Sequence, residues 1–594
     1  MSNQGAASEK MTTFSFQDEL PPLPVPDLHE TCQKYLQTVR PLLTDTAFAQ
    51  TQAAVADFQR SGGVGEQLHA ALFAKAQTER NWLAAWWEEF AYLRVRDPVV
   101  INVNWAVTGF PPPYPRDPLP HAASLIARIL EYKAQIDAET IEPQMLSPTE
   151  PLCMAQFARF FSTCRIPELE KDTLVTYAPG QAKHILVARS NQFYCVDVYD
   201  EQGRPLSTVD LERQLRWVVE QAASAADLDP PVGVLTSENR STWAQVRQQL
   251  IDAGEGNHAT IETIQRALFV VCLDDGQPQN PEEYARAALH GNGRNRWFDK
   301  SFQIIVQADG HASIHAEHSG IDGSTLLSLF EYAVSGGASH VSATPTSATL
   351  PPVKRLRWKL TPDIEHAIAT AERHFDQLAA NLGLKALTFE HFGKNLIKQC
   401  KLSPDGFIQM AIQLAYFKLH STCAPTYESG QTRRFFHGRT ETIRSCSLQS
   451  LEFVQAMTRP DCPVETKREL LWKAVKWHTH QTREAMRGHG VDRHLLGLRL
   501  LAMEAGMELP ALFKDSAYQF GWRLSTSQVS TSSGPSLGFG PVTPDGYGVG
   551  YGIRDENLAF HITDWKSCPT TDIDRFAQTL EQCLLEMRDV ALER

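Results

Sequence analysis

This sequence predicts an α/β protein of at least two domains, and three observations carry the prediction. At 594 residues the chain is too long for a single hydrophobic core. The run SFQIIVQADGHASIHAEH, ending at His318, reads as a β-hairpin around Asp309 and Gly310, followed by a helix over STLLSLFEYAV. In SGGASHVSATPTSATLPP, residues 335–352, Gly, Ser, Thr and Pro replace apolar periodicity, which is the composition of a linker.

In the hairpin, Phe302, Ile304 and Val306 alternate onto one face, and Asp-Gly supplies the turn. After the linker, TPDIEHAIATAERHFDQLAANLGL opens with Thr361 as N-cap and Pro362 at the first helical position. Ile364, Ile368, Ala371, Phe375 and Leu378 then recur at helical spacing. The domain boundary is therefore expected in the linker, with this helix opening a new unit.

With 42% apolar and 21% charged residues the composition is that of a soluble globular protein. A net charge of −13 argues against a general nucleic-acid or anionic-membrane binder. The eleven cysteines, from Cys32 to Cys583, contain no CxxC pair and fit neither a zinc-site spacing nor a disulfide framework, so reduced thiols are expected. No uncharged apolar run reaches the about 20 residues needed to span a bilayer. The uncharged stretch from Pro98 to Pro115 holds two Asn and a PPP run. MSNQGAASEKMTTFS resembles neither a secretory nor a mitochondrial signal, and the ending ALER is no peroxisomal address, so a cytoplasmic protein is expected.

Three histidines, His311, His315 and His318, would share a face on a helix as metal ligands do. On a strand, period two separates them: His311 and His315 fall with Glu317, and His318 with Ile314 and Ala316. No metal site is expected. What remains is His318 at the mouth of a strand, with Asp322 four residues on across a Gly-containing loop. Two readings stand on these residues alone. His318 is a satisfied core histidine and Asp322 caps the helix beginning near Ser324; or His318 is a general base, its other nitrogen oriented by a carboxylate or carbonyl.

HSGIDG has the form HxxxDG of coenzyme-A-dependent acyltransferases, and it does not stand alone. LPPLPVPDLHETCQKYL, NWLAAWWEEFAYL, PLCMAQFARFFSTCRIP, GNGRNRWFDKSFQIIV, LSPDGFIQMAIQLAYFKLH, HGRTETIRS, STSQV and FGPVTPDGYGVGY follow in order along nearly the whole chain from about residue 20. Together these segments resemble the choline/carnitine acyltransferase family. The resemblance implies two similar chloramphenicol-acetyltransferase-like domains with a tunnel between them, entered by coenzyme A and a small alcohol from opposite ends. It places residues 19–69 and 353–594 in one domain and 70–352 in the other, after a flexible N-terminus at 1–18. It also implies a monomer with no bound cofactor, coenzyme A being a co-substrate.

By the same resemblance His318 is the base, Asp322 its partner where short-chain members commonly carry Glu, and Ser527 the oxyanion donor. Arg493 in VDRHLL, Thr440 in GRTETIRS and Tyr427 in TYES would hold the carboxylate of carnitine, the Arg and Thr being absent from choline enzymes, and Ser525 would also bind carnitine. Phe539 would face the trimethylammonium group, with Trp87 and Tyr92 as further candidates or core aromatics. Lys394, Lys398, Asp405 and Gln528 would hold coenzyme A. Leu537, two before the FGP aromatic, would gate the acyl pocket, favouring acetyl or other short groups, although GVGYGI and Asp322 look more like long-chain members. The alternatives are a longer-chain carnitine acyltransferase, a choline acetyltransferase, and a non-catalytic acyl-coenzyme A binder.

Overall fold

The computed structural model describes residues 12–109, 117–224, 227–334, 344, 350–529 and 536–593. Helices cover two large sheets, so the α/β class holds. The expected hairpin forms: Phe302–Val306 and Ala312–Ala316 pair antiparallel, with Ile304 opposite Ile314. In its turn Gly310 takes φ +87°, where a side chain is disfavoured. Phe302, Ile304 and Val306 face a core shared with helices Pro118–Asp137 and Gly323–Val334. Ile305 faces a second core around Trp243 and Trp297. The strand is thus buried on both faces, as interior strands of a sheet covered on each side are.

The first sheet has eight strands in the order Lys354–Arg355, Gln192–Asp197, His184–Arg189, Val270–Leu273, Phe302–Val306, Ala312–Ala316, Trp105–Thr108 and Ser536–Gly538. The second has six: Leu382–Phe389, Leu558–Trp565, Tyr547–Ile553, Leu524–Gln528, Thr426–Gln431 and Thr440–Arg444. Its core is filled by helices Pro404–His420, Val464–Met486 and Ile573–Leu592.

One segment stitches the two sheets together. Leu537 pairs with Val107 at the edge of the large sheet, while the same backbone lies on the small one. A Cβ on Gly550 would come within 2.1 Å of the Leu537 carbonyl oxygen, and one on Gly548 within 3.2 Å of the Phe539 oxygen. YGVGYG is therefore a strand stripped of side chains on one face so that another chain segment can lie flat against it.

Thr361 caps its helix as expected, accepting from the Ile364 amide, and the helix runs Pro362–Asn381. Its apolar face, however, packs into the core around Trp243 and Trp297, and Lys354–Arg355 is an edge strand of the large sheet. The helix therefore closes the first sheet, and the chain passes to the second sheet only at Leu382. Residues 335–343 and 345–349 of the expected linker lie outside the described residues. The early helices Leu28–Val39, Asp45–Phe58 and Val64–Thr78 pack with Asp492–Glu504 of the C-terminal part. Of the N-terminal stretch expected to be flexible, residues 12–18 are held in place. Thr13 is buried, its amide and hydroxyl bonded to the carbonyls of Glu139 and Ile141, and Gln17 accepts from the Met154 amide.

Candidate active site

The strand Ala312–Ala316 ends two residues before His318, which has 30% of its side chain exposed. Its ring lies 5.1 Å from that of Tyr92 and 6.3 Å from that of Trp105. Nδ1 faces the carbonyl of Ile321 at 3.3 Å, so a backbone carbonyl fixes the tautomer and leaves Nε2 as the nitrogen carrying the lone pair. Burial lowers the imidazole below its ordinary pKa; Asp322 opposes this and Arg439 reinforces it. A neutral ring near pH 7 follows.

The Asp322 carboxylate hydrogen-bonds neither to His318 nor to the amides of its helix. It is 3.9 Å from His318 Nδ1, beyond hydrogen-bond reach, and the helix amides of Thr325 and Leu326 bond to the Asp322 backbone carbonyl instead. The side chain is clamped by Arg439, with Nε to Oδ2 and Nη2 to Oδ1 both 2.8 Å, and by the Gln156 amide at 2.8 Å. Burial works to raise this carboxyl, but the guanidinium overrides it and holds the carboxyl below the usual range. Arg439 also donates to the carbonyls of His318, at 2.9 Å, and Ser319, at 2.5 Å. Since Arg439 precedes strand Thr440–Arg444 of the second sheet, this fork ties the histidine loop of one sheet to the other.

Register assembles the opposite wall. Tyr427 lies beside Ser525 and Arg444, Gln431 beside Thr440, and Ser527 beside Gly550. Alternate residues of a strand share a face, so Tyr427, Thr440, Thr442, Ser525 and Ser527 project together, and Glu428 and Thr526 project behind. Thr526 is tied down there by Gln409 at 2.9 Å. The hydroxyl of Ser527 forms no hydrogen bond within the described residues. Its neighbour Gly550 carries the Leu537 carbonyl against it, and Leu537 itself is buried beside Val107 and Trp105. Phe539 is half-buried at the margin of that core.

Arg493 opens the helix Asp492–Glu504. Asp492 is taken by Arg444 at 2.8 Å, so Arg493, only 7% exposed, makes no ion pair within hydrogen-bond distance among the described residues. Instead it donates to the Thr440 carbonyl at 3.0 Å and to the hydroxyls of Thr442 and Thr440 at 3.2 and 3.3 Å, and it stacks 3.6 Å over Trp87. Burial raises the carboxyl of nearby Glu441 to about 7, with Asp492 adding to the rise against the pull of Arg493. Trp87 meets Tyr92 edge-on at 6.0 Å, and Tyr92 meets His318. A run of aromatic contacts thus leads from the Arg493 guanidinium through Trp87 and Tyr92, which the sequence left between core and site, to His318.

Lys394 and Lys398 do share a helix, Lys394–Gln399. Lys394 is paired with Asp555 at 2.6 Å, and Lys398 is exposed. Asp405 turns inward to Tyr551, whose hydroxyl is 2.7 Å from Asp405 and 2.9 Å from Glu428; His478 joins Glu428 at 2.9 Å. One hydroxyl hydrogen cannot serve two carboxylates, so a proton on Asp405 completes the network. Burial and Glu428 raise that carboxyl well above its usual range, in agreement. Gln528 lies at the end of strand Leu524–Gln528, next to Tyr551. His315 is bonded to Asn104 at 3.0 Å and faces the Ala288 carbonyl at 3.2 Å, and His311 stacks on Tyr284. Both are buried and shifted down by burial, to about 3 and about 4, as structural histidines.

The family model described as Choline/Carnitine o-acyltransferase matches residues 23–582. A carnitine O-acetyltransferase of Rattus norvegicus is 38% identical over 96% of this chain and 93% of its own. A choline O-acetyltransferase of Homo sapiens is 37% identical over 98% of this chain and 80% of its own. A trichothecene 15-O-acetyltransferase structure from Fusarium sporotrichioides has TM-score 0.37 at 11% identity over 84% of this chain and 92% of that one, a likeness too distant to add weight. With the match spanning almost its whole length, the chain belongs to the choline/carnitine acyltransferase family.

Proposed function

We propose that the protein moves an acyl group, acetyl or another short one, reversibly between coenzyme A and the hydroxyl of carnitine. Arg493 carries this reading. A buried cation lacking a carboxylate partner is costly, and two threonine hydroxyls beside it leave a recess suited to a carboxylate ligand. Carnitine brings that carboxylate; choline has none and would leave the guanidinium unpaired. The quaternary ammonium then lies along the aromatic path of Trp87 and Tyr92, with the hydroxyl directed to His318.

In this reading Nε2 of His318 takes the hydroxyl proton as the oxygen attacks the thioester carbon. Ser527 donates to the resulting oxyanion, and collapse expels the thiolate, which recovers the proton from the imidazolium. A ternary complex holds both reactants, so no acyl-enzyme is required. Lys394 and Lys398 serve the phosphates of coenzyme A, Lys394 exchanging Asp555 for them, and Gln528 and the inward Asp405 lie along its arm. Tyr427 and Ser525 complete the carnitine wall and Phe539 its apolar end. The buried Leu537 closes the route for a long acyl tail.

The test mixes pure protein with acetyl-, octanoyl- or palmitoyl-coenzyme A and either carnitine or choline, and measures thiol release. Release with acetyl-coenzyme A and carnitine, abolished in His318→Ala, is expected. Equal release with choline would overturn the assignment of Arg493.

A further inference from the structure

Among the described residues, two groups bring three ligand-type atoms within 4.8 Å of one another. One, Asp405 with Glu428 and His478, is closed internally by Tyr551 and Gln409. The other, His184 with Cys195 and Asp197, lies on the outer strands of the large sheet and is not.

In that second group, His184 and Asp197 are direct partners across the antiparallel pair, and Cys195 stands two residues from Asp197 on the same face. Neither the thiol of Cys195 nor the carboxylate of Asp197 has a hydrogen-bond or ion-pair partner within the described residues. All three side chains are partly exposed, so solvent ions can enter. His184 holds the carbonyl of Thr263 with Nε2 at 2.8 Å, from the helix Glu255–Arg266 packed alongside. A histidine that donates one ring N–H to a backbone carbonyl presents the other nitrogen as a lone pair, which is how metal-binding histidines are oriented.

We propose that His184, Cys195 and Asp197 form a binding site for one thiophilic divalent cation of the zinc class. Imidazole nitrogen, thiolate sulfur and carboxylate oxygen are the zinc donor types, and three of them leave a fourth tetrahedral position to water. Bonds of about 2.0–2.3 Å put tetrahedral donors about 3.5 Å apart, so rotation of side chains by little more than an ångström closes the set. Binding exchanges the Cys195 S–H bond for an S–metal bond and releases that proton to solvent.

The charged groups around the cluster bear on affinity. Lys354, on the edge strand, is in register with Cys195 and opposes a cation. Lys300, which adds to burial in lowering the pKa of His184, is held by the carbonyls of Gln265 and Ala267. Without metal, burial and Asp197 push the Cys195 thiol up to about 12, so it is protonated until an ion displaces the proton. Two strands separate His184–Arg189 from the strand leading to His318, about 14 Å at the usual strand spacing. The ion is therefore a staple between the second and third strands of the sheet, outside the reacting groups.

The full chain, stripped by dialysis against a chelator, is titrated with Co2+ and Zn2+. The expected result is one equivalent bound, a thiolate-to-cobalt charge-transfer band, and one proton released per ion. Cys195→Ser is expected to lose the band with acyl transfer unchanged. Asp197→Asn should weaken binding at least about tenfold, and Lys354→Ala should tighten it. Absence of the band in the unaltered protein would overturn the proposal, as would a band or affinity unchanged in both Cys195→Ser and Asp197→Asn.

Discussion

Removing Asp322 tests whether it steers the imidazole or clamps the site. Its carboxylate accepts three bonds of 2.8 Å, two from Arg439 and one from Gln156, and none from His318, which is 3.9 Å away. Breaking such a buried pair by deleting one partner costs about 3–5 kcal/mol, because the other charge is left uncompensated. Asp322→Ala and Arg439→Ala are each expected to lose this much stability. The double variant should lose little more than either, giving an interaction energy close to the loss in one single variant, about 3 kcal/mol or more. Urea unfolding of the four proteins measures it. A dyad makes a different demand: Asp322→Asn would leave stability alone and cut kcat by up to about 10⁴-fold, the scale seen where a carboxylate fixes a histidine tautomer. Additive destabilisation within about 0.5 kcal/mol, or a stable Asp322→Asn protein with that collapse in kcat, would refute the clamp.

That assignment was out of reach of the sequence for a geometric reason. Asp322 meets Arg439 across 117 positions and Gln156 across 166, and all three stand in quoted motifs without any spacing that pairs them. Local features were legible because their physics is local. Thr361 and Pro362 announce a helix start, and Asp-Gly with flanking alternation announces a hairpin. Arg493 and Thr440 were legible only through the resemblance, since an arginine in a helix and a threonine in a strand give no separate signal; the structure brings them to 3.3 Å. The packing target of Pro362–Asn381 was hidden because an amphipathic face says that it is buried, not against which sheet. The glycines of GVGYG carry no local signal of what they serve; the Leu537 carbonyl lying on Gly550 shows it.

The remaining predictions concern the reaction and its pH dependence. Ser527→Ala should lower kcat by about 10²–10³-fold with little change in carnitine KM; an unchanged kcat would remove it from the oxyanion role. Arg493→Gln should raise carnitine KM with a deficit of about 2–5 kcal/mol in kcat/KM, and leave the KM for acetyl-coenzyme A alone. Leu537→Gly should improve octanoyl transfer relative to acetyl, and no gain would discard the gate. The acid limb of kcat/KM should fall below the ordinary histidine pKa, since burial lowers His318; a limb above it would contradict a neutral base. Glu441 makes a prediction about stability. Burial keeps its carboxyl protonated in the native state up to about 7, against 4.5 for an exposed glutamate. Between those pH values the native state holds a proton that the unfolded state has lost, so stability declines as pH rises, by about 3 kcal/mol in all. Glu441→Gln cannot ionise and escapes the decline. Urea midpoints at pH 5 and pH 8 should therefore diverge between the two proteins, the variant gaining at the higher pH. Parallel midpoints would mean that the carboxylate beside Arg493 is already ionised at pH 5, and that the guanidinium is not the unpaired cation on which carnitine recognition rests.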